Sequence, residues 1–127
     1  MCIIDSLFNT TMPTINALTR KILAFRNARD WAQFHNPKDV DISLTLEAAE
    51  LLEHFQWKTP AEIDRHLKTR KEAVADELAD VLYYVLLLSH DLKIDPAKAL
   101  ASKLKKNAKK YPVAKAKGRI TKYTELK

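Results

Sequence analysis

Two pairs of acids, each pair three residues apart and each bordering an apolar stripe, constrain this chain more than any other feature. Glu47 and Glu50 lie in Leu44–Lys58 (LTLEAAELLEHFQWK), and Glu77 and Asp80 lie in Asp76–Tyr84 (DELADVLYY). Both segments pattern as helix, and side chains at i and i+3 share a helix face. At a turn of about 100° per residue, Val40, Leu44, Ala48, Leu51, Leu52 and Phe55 form one stripe, edged by Ser43, Glu47, Glu50 and His54. In the second segment Val74, Leu78, Val81, Leu82, Val85 and Leu92 form the stripe, with Glu77, Asp80 and Tyr84 beside it. Packing the two stripes together brings four carboxylates to one seam.

Such a seam is unstable alone. Like charges ~4 Å apart repel by about 4 kcal/mol at an effective dielectric of about 20, and no Lys or Arg lies on that edge of either segment. An E-x-x-E by itself is common on solvated helices; two of them, each beside a stripe, call for a cation. Oxygen ligands without cysteine select Mg²⁺, Mn²⁺ or Ca²⁺. Mg²⁺ suits the set best, because it binds a few carboxylates and completes its shell with water and substrate phosphate. His54 reads as a further ligand or, more commonly for a histidine beside such a seam, as a hydrogen-bonding neighbour.

Prolines divide the rest. Pro13, Pro37, Pro60, Pro96 and Pro112 separate segments of helical length. The spacing predicts a loose leader over 1–12 and a first helix over Thr14–Phe34, with Ile15, Leu18, Ile22, Phe25 and Ala32 as its stripe and Trp31 and Phe34 off it. A second helix is expected over Asp39–Gln56. Thr59-Pro60-Ala61-Glu62 is a start signal, with Thr as N-cap, Pro at N1 and Glu at N3. It opens a short helix that bends before a long one, Lys71–Leu92. Tyr83, Leu86 and Leu87 lie off the long helix's stripe, so it is expected to be buried on several sides. Asp95-Pro96 starts a last helix to Lys110, ended by Tyr111-Pro112 because a residue before proline resists the α region. The domain is thus 13–112, followed by a basic extended tail, 113–127. No segment alternates with period two, and the fold class is all-α: a four-to-five-helix bundle.

Composition narrows the function. At 127 residues and 46% apolar content the chain makes one globular domain. Its longest apolar run, Val81–Leu88, falls far short of the ~20 residues of a membrane span, so no membrane role is expected. The first residues lack a basic region and carry an acid, Asp5, which argues against a secretory signal. A lone cysteine, Cys2, fits a reducing, cytoplasmic setting. With Gly118 as its one glycine, the chain cannot build a P-loop or a dinucleotide fingerprint. Any phosphate must be met by metal and side chains. The net charge of +6 is uneven: Lys98 onward carries +10 and the rest −4. This basic limb suits anionic ligands or a solvated face. In the last helix Leu100, Leu104, Ala108 and Tyr111 form the stripe, and Asn107 falls at its edge, flanked by Lys103 and Lys110. An amide there costs roughly 1–3 kcal/mol unless hydrogen-bonded, so it is expected to find a partner in the protein or in a ligand.

Glu47-x-x-Glu50 followed by Glu77-x-x-Asp80 resembles the E-x-x-E…E-x-x-D signature of the MazG-like, all-α nucleoside triphosphate pyrophosphohydrolases. The chain is similar in particular to their dCTP pyrophosphatase branch. That similarity rests on Arg29-Asp30-Trp31-x-Gln33-Phe34-His35, Phe55-Gln56-Trp57-Lys58, Asp80-Val81-Leu82, Lys103 with Asn107, Tyr111-Pro112 and Lys122-Tyr123-Thr124-Glu125-Leu126. These run in matching order over roughly residues 15–126.

The resemblance implies a bundle completed by oligomerisation, as a homodimer or tetramer, and cleavage of a nucleoside triphosphate to monophosphate and pyrophosphate with Mg²⁺ (Mn²⁺ as a substitute). By the same resemblance, Glu47, Glu50, Glu77 and Asp80 are the metal-binding and catalytic acids, and Trp31 and Trp57 belong to the base pocket. Tyr84, Lys103 and Asn107 would meet sugar and phosphates. Ala48-Ala49 replaces a Val-Gly pair common in the family, and Ile22 stands where animal members have a pocket histidine, which leaves the base preference open. Without a Ser/His/Asp or Cys/His set, the expected chemistry is direct attack of water on Pα, with Glu50 the acid that orients or deprotonates it. Both tryptophans read equally as core residues, although the helical position of Trp57 on the acid side favours the pocket. A di-iron bundle would need E-x-x-H on two helices, and Glu50-x-x-x-His54 has the wrong spacing. A nucleic-acid-binding module on the basic limb is the alternative class. It leaves the acidic seam without a purpose, so no nucleic-acid partner is expected.

Overall fold

The computed structural model describes residues 12–127, and over them every regular element is helical: α1 (Ile15–Asn27), a 3₁₀ turn (Trp31–Phe34), α2 (Pro37–Glu53), α3 (Pro60–Asp91), α4 (Pro96–Lys110), α5 (Val113–Ala116) and a 3₁₀ turn (Tyr123–Glu125). The leader expected over 1–12 lies outside the described residues save for the exposed Met12. The chain divides into two compact units, one ending at Leu92 and one running Lys93–Lys127.

Each long helix starts on a side-chain cap, which satisfies N–H groups that the helix itself leaves free. Thr14 Oγ1 accepts from the Ala17 N–H at 3.1 Å, and Asn36 Oδ1 from that of Asp39 at 3.0 Å. At α3 the full capping box forms: the Glu62 N–H donates to Thr59 Oγ1 at 3.3 Å and the Thr59 N–H to Glu62 Oε2 at 2.7 Å. Asp95 Oδ1 accepts from the Lys98 N–H at 3.0 Å to start α4, whose bounds are those the sequence predicts. The bend expected before Lys71 is a kink at Arg70 (φ −123°, ψ 16°) inside α3.

Three expectations are corrected. α1 stops at Asn27 rather than Phe34, because Asp30 adopts the left-handed region (φ 53°) and turns the chain; aspartate tolerates that region where most residues do not. α2 closes at Glu53, short of Gln56, and Trp57 takes φ 66° in the turn that follows. The indole therefore projects from a strained turn, not from a helix face. In the second unit, the tail expected to be extended folds into two short helical turns. Tyr123 packs edge-on to Tyr111 at 5.9 Å with the Lys110 Nζ 4.7 Å from its ring centre.

In the first unit α3 packs against both α1 and α2. The contact with α1 uses Tyr83, Leu87 and Asp91, spaced four apart on one face. Tyr83 meets Phe25 edge-on at 6.3 Å, and Asp91 takes two hydrogen bonds from Arg26 Nη1 at 3.0 and 2.8 Å. Leu87, between them, is wholly buried, as is Leu86 nearly so. Both lie off the stripe drawn from sequence, whereas Leu78 and Leu82, on the stripe, are about half exposed. Packing on two neighbours has shifted the buried side of α3 toward α1. Leu87→Ala is accordingly expected to cost about 2–5 kcal/mol, and Leu78→Ala much less in the isolated chain. Urea unfolding of the two variants side by side checks the order.

Candidate active site

The α2–α3 contact sets the geometry of the acids. Glu47 and Glu50 project from α2, Glu77 and Asp80 from α3, and one carboxylate oxygen each from Glu47, Glu77 and Asp80 lie within 4.8 Å of one another. Ligands about 2.1 Å from a Mg²⁺ ion stand at most about 4.2 Å apart, so a small inward turn of these side chains closes the trio on one hard ion. Among the described residues no Lys or Arg pairs with any of the four acids; the ion pairs join Arg26 to Asp91 and Lys38 to Asp39. Burial, then the charges of Glu50, Asp80 and Glu77, push the Glu47 carboxyl above its ordinary 4.5. Burial, then Glu50 and Asp80, push Glu77 up as well. Glu50 thus acts electrostatically on both while standing outside the convergent trio.

Two cavities meet these acids from different sides. The first, about 470 Å³, is lined by Lys21, Ile22, Phe25, Trp31, Glu47, Asp80, Tyr83 and Tyr84. Its size is that of an ordinary small-ligand pocket. Its walls are a chain of edge-to-face aromatics: Phe25–Trp31 at 5.7 Å, Phe25–Tyr83 at 6.3 Å and Tyr83–Tyr84 at 5.0 Å. Arg29 lies 3.6 Å over the Phe25 ring and braces it. The second cavity, about 450 Å³, is lined by Glu50, Glu53, His54, His66 and Glu77. There His54 Nδ1 and His66 Nε2 are 2.9 Å apart, which makes His54 the hydrogen-bonding neighbour, with a partner the sequence did not reveal.

Of the residues singled out from sequence, Trp31, Tyr84, Glu47 and Asp80 share the first cavity, with Ile22 in its lining. Trp57 does not line it and is 92% exposed. Lys103 and Asn107 lie one turn apart on α4, in the second unit, Asn107 half-buried with no side-chain hydrogen bond among the described residues. Phe25, Tyr83 and Lys21 were not foreseen as lining. Phe25 read as core and Tyr83 as an off-stripe residue, and only the α1–α3 contact turns both to one cavity.

The raised carboxyls have a thermodynamic consequence. A group whose folded-state pKa is raised above 4.5 stabilises the fold below its unfolded pKa, and that stability is lost as pH rises through the folded value. The metal-free protein should therefore lose stability between acid and neutral pH. Glu47→Gln or Glu77→Gln should raise the Tm of EDTA-treated protein at pH 7 and change it less at pH 4. Added Mg²⁺ should raise the wild-type Tm and move that of either variant far less; calorimetry at both pH values checks this.

Comparison with known proteins bears on the family. The model of the MazG-like family matches residues 42–126, which include all four acids. Over 116 residues the chain is 39% identical to dCTP pyrophosphatase 1 of Rattus norvegicus and 38% to that of Homo sapiens, covering 90% of this chain and 68% of each relative. The crystal structure of a pyrophosphatase from Archaeoglobus fulgidus superposes with a TM-score of 0.74 at 40% identity, over 77% of this chain and 92% of that one. The chain belongs to the MazG-like family.

Proposed function

We propose that this chain is a nucleoside triphosphate pyrophosphohydrolase that cleaves dCTP, or a 5-substituted dCTP, to monophosphate and pyrophosphate, and so clears unwanted nucleotides from the cytoplasmic pool. The observation that carries the reading is the convergence of Glu47, Glu77 and Asp80 at the wall of an aromatic cavity. A flat base fits the aromatic side while the triphosphate runs to the acids. The relatives named as dCTP pyrophosphatases support the choice of cytosine.

Glu47, Glu77 and Asp80 would hold Mg²⁺, which neutralises triphosphate charge when bound. Glu50, close to these acids but outside the trio, would accept the proton of the water that attacks Pα. The bond from Pα to its bridging oxygen breaks, and pyrophosphate leaves. Trp31 and Phe25 would flank the base and Tyr84 the sugar. Ile22 adds an apolar side chain to the lining of the aromatic cavity. By the family resemblance Lys103 and Asn107 would meet the phosphates, Lys103 as a point charge and Asn107 through an amide with no hydrogen-bond partner among the described residues.

Trp57 would close over the base from outside. A bulky residue at positive φ costs about 1–2 kcal/mol, and such strain collects at functional sites. A homo-oligomer, dimer or tetramer, is supported by the apolar side chains left about half exposed: Ile42 and Leu46 on one face of α2, Leu78 and Leu82 on one face of α3. Among the described residues no helix is long and apolar enough to cross a membrane.

Incubating the chain with Mg²⁺ and a panel of canonical and 5-modified dNTPs and NTPs should release pyrophosphate fastest from the dCTP class. Equal rates for purines would remove the assigned base preference, and no release at all would remove the activity. Trp57→Gly should raise KM for every accepted nucleotide while leaving Tm unchanged or higher, because it relieves the φ strain and removes almost no packing. A fall in Tm with KM unchanged would show Trp57 to be structural.

A further inference from the structure

Trp57 takes the third place of a four-residue turn, residues 55–58, which the Lys58 N–H closes on the Phe55 carbonyl at 3.2 Å. A positive φ at that place suits glycine or asparagine. A tryptophan at φ 66° keeps it only where the surroundings over-determine the backbone. Yet little holds the segment that follows. From residue 55 to residue 70 no side chain is buried, and Val74 is the first buried residue of α3. Arg70 also breaks the helix (φ −123°, ψ 16°), so the rest of α3 does not dictate where residues 60–69 lie. Segments with so few buried contacts open at low cost. Among the described residues, one side-chain hydrogen bond joins residues 60–69 to the end of α2: His54 Nδ1 and His66 Nε2 stand 2.9 Å apart, their rings tilted by 51°. The segment's other side-chain bonds are local, between Thr59 and Glu62 and from Thr69 to the His66 carbonyl. A neutral imidazole has one N–H and one bare nitrogen, so one ring donates and the other accepts. The pair thus closes a loop, with the Trp57 turn between its two ends.

We propose that the His54–His66 hydrogen bond is a latch, which pins residues 60–69 against the end of α2 and so fixes the turn that presents Trp57. The two histidines are positioning residues that act through Trp57, whose contact with the base rests on the function proposed above. All four acids keep the roles given them there. Without the latch the turn samples other positions, and only the fraction already in place binds nucleotide at full strength. Apparent affinity then falls while the step at Pα is untouched. One side-chain hydrogen bond is worth about two- to tenfold in such an equilibrium.

The latch is read first without nucleotide, by amide hydrogen exchange of the full-length chain. His66→Leu fills the ring's space with no polar atom, and His54→Leu removes the same bond from the other side. Either should speed exchange over residues 58–67 by about two- to tenfold and leave α1 and residues 74–91 at the wild-type rate. Unchanged exchange over 58–67, or equal acceleration along the whole of α3, overturns the latch. With Mg²⁺ and dCTP, His66→Leu should raise KM by a similar factor at unchanged kcat, and raise it no further in a Trp57→Gly background. A wild-type KM, a fall in kcat, or an effect that multiplies with that of Trp57→Gly overturns the action through Trp57. If the wild-type chain releases pyrophosphate from no nucleotide, the assigned function falls, and the exchange rates still decide the latch.

Discussion

Repulsion between carboxylates across the α2–α3 contact is the constraint on which the rest depends. The apolar faces of the two helices hold Glu47, Glu77 and Asp80 within 4.8 Å of one another, and among the described residues no basic side chain neutralises them. The protein thereby holds charge in an unfavourable arrangement, which a divalent ion bound there would relieve. The raised carboxyls of Glu47 and Glu77 express the same tension in protonation. Packing supplies the force that sustains it: among the described residues Val40 on α2 and Val74, Leu86 and Leu87 on α3 are the buried apolar ones, and α3 is also held to α1 by the Arg26–Asp91 ion pair at 2.8 Å.

The acids divide the surroundings of the seam chemically. On one side Glu47 and Asp80 border a cavity walled by Phe25, Trp31, Tyr83 and Tyr84; on the other Glu50 and Glu77 border one that holds two histidines. The first side is lined largely by aromatic rings and the second by acids and imidazoles. Glu77 belongs to both the trio and the second cavity.

How much of this could be read in the sequence depended on the range of the interaction involved. The acid pairs were legible because i, i+3 spacing fixes a shared face whatever the tertiary structure. The start of α3 and both ends of α4 were legible because threonine, aspartate and proline act within one turn. The end of α1 was misjudged: no glycine or proline marks it, and the turn rests on Asp30 accepting φ 53°. That Leu86 and Leu87 would be covered was legible in the apolar second half of the helix; which neighbour covers them was not, because that depends on where α1 lies along α3, which no wheel contains. His66 drew no notice, since its partner is on another helix twelve residues away. Trp57 was assigned to a helix face, although it stands after α2 has ended.

The central claim is that acids convergent beside an aromatic cavity direct water to Pα of a nucleoside triphosphate. Hydrolysis of dCTP with Mg²⁺ in ¹⁸O-labelled water, followed by mass spectrometry of the products, tests it most directly. The account predicts one labelled oxygen in dCMP and none in pyrophosphate. Label in free orthophosphate, with dCDP accumulating, would contradict it.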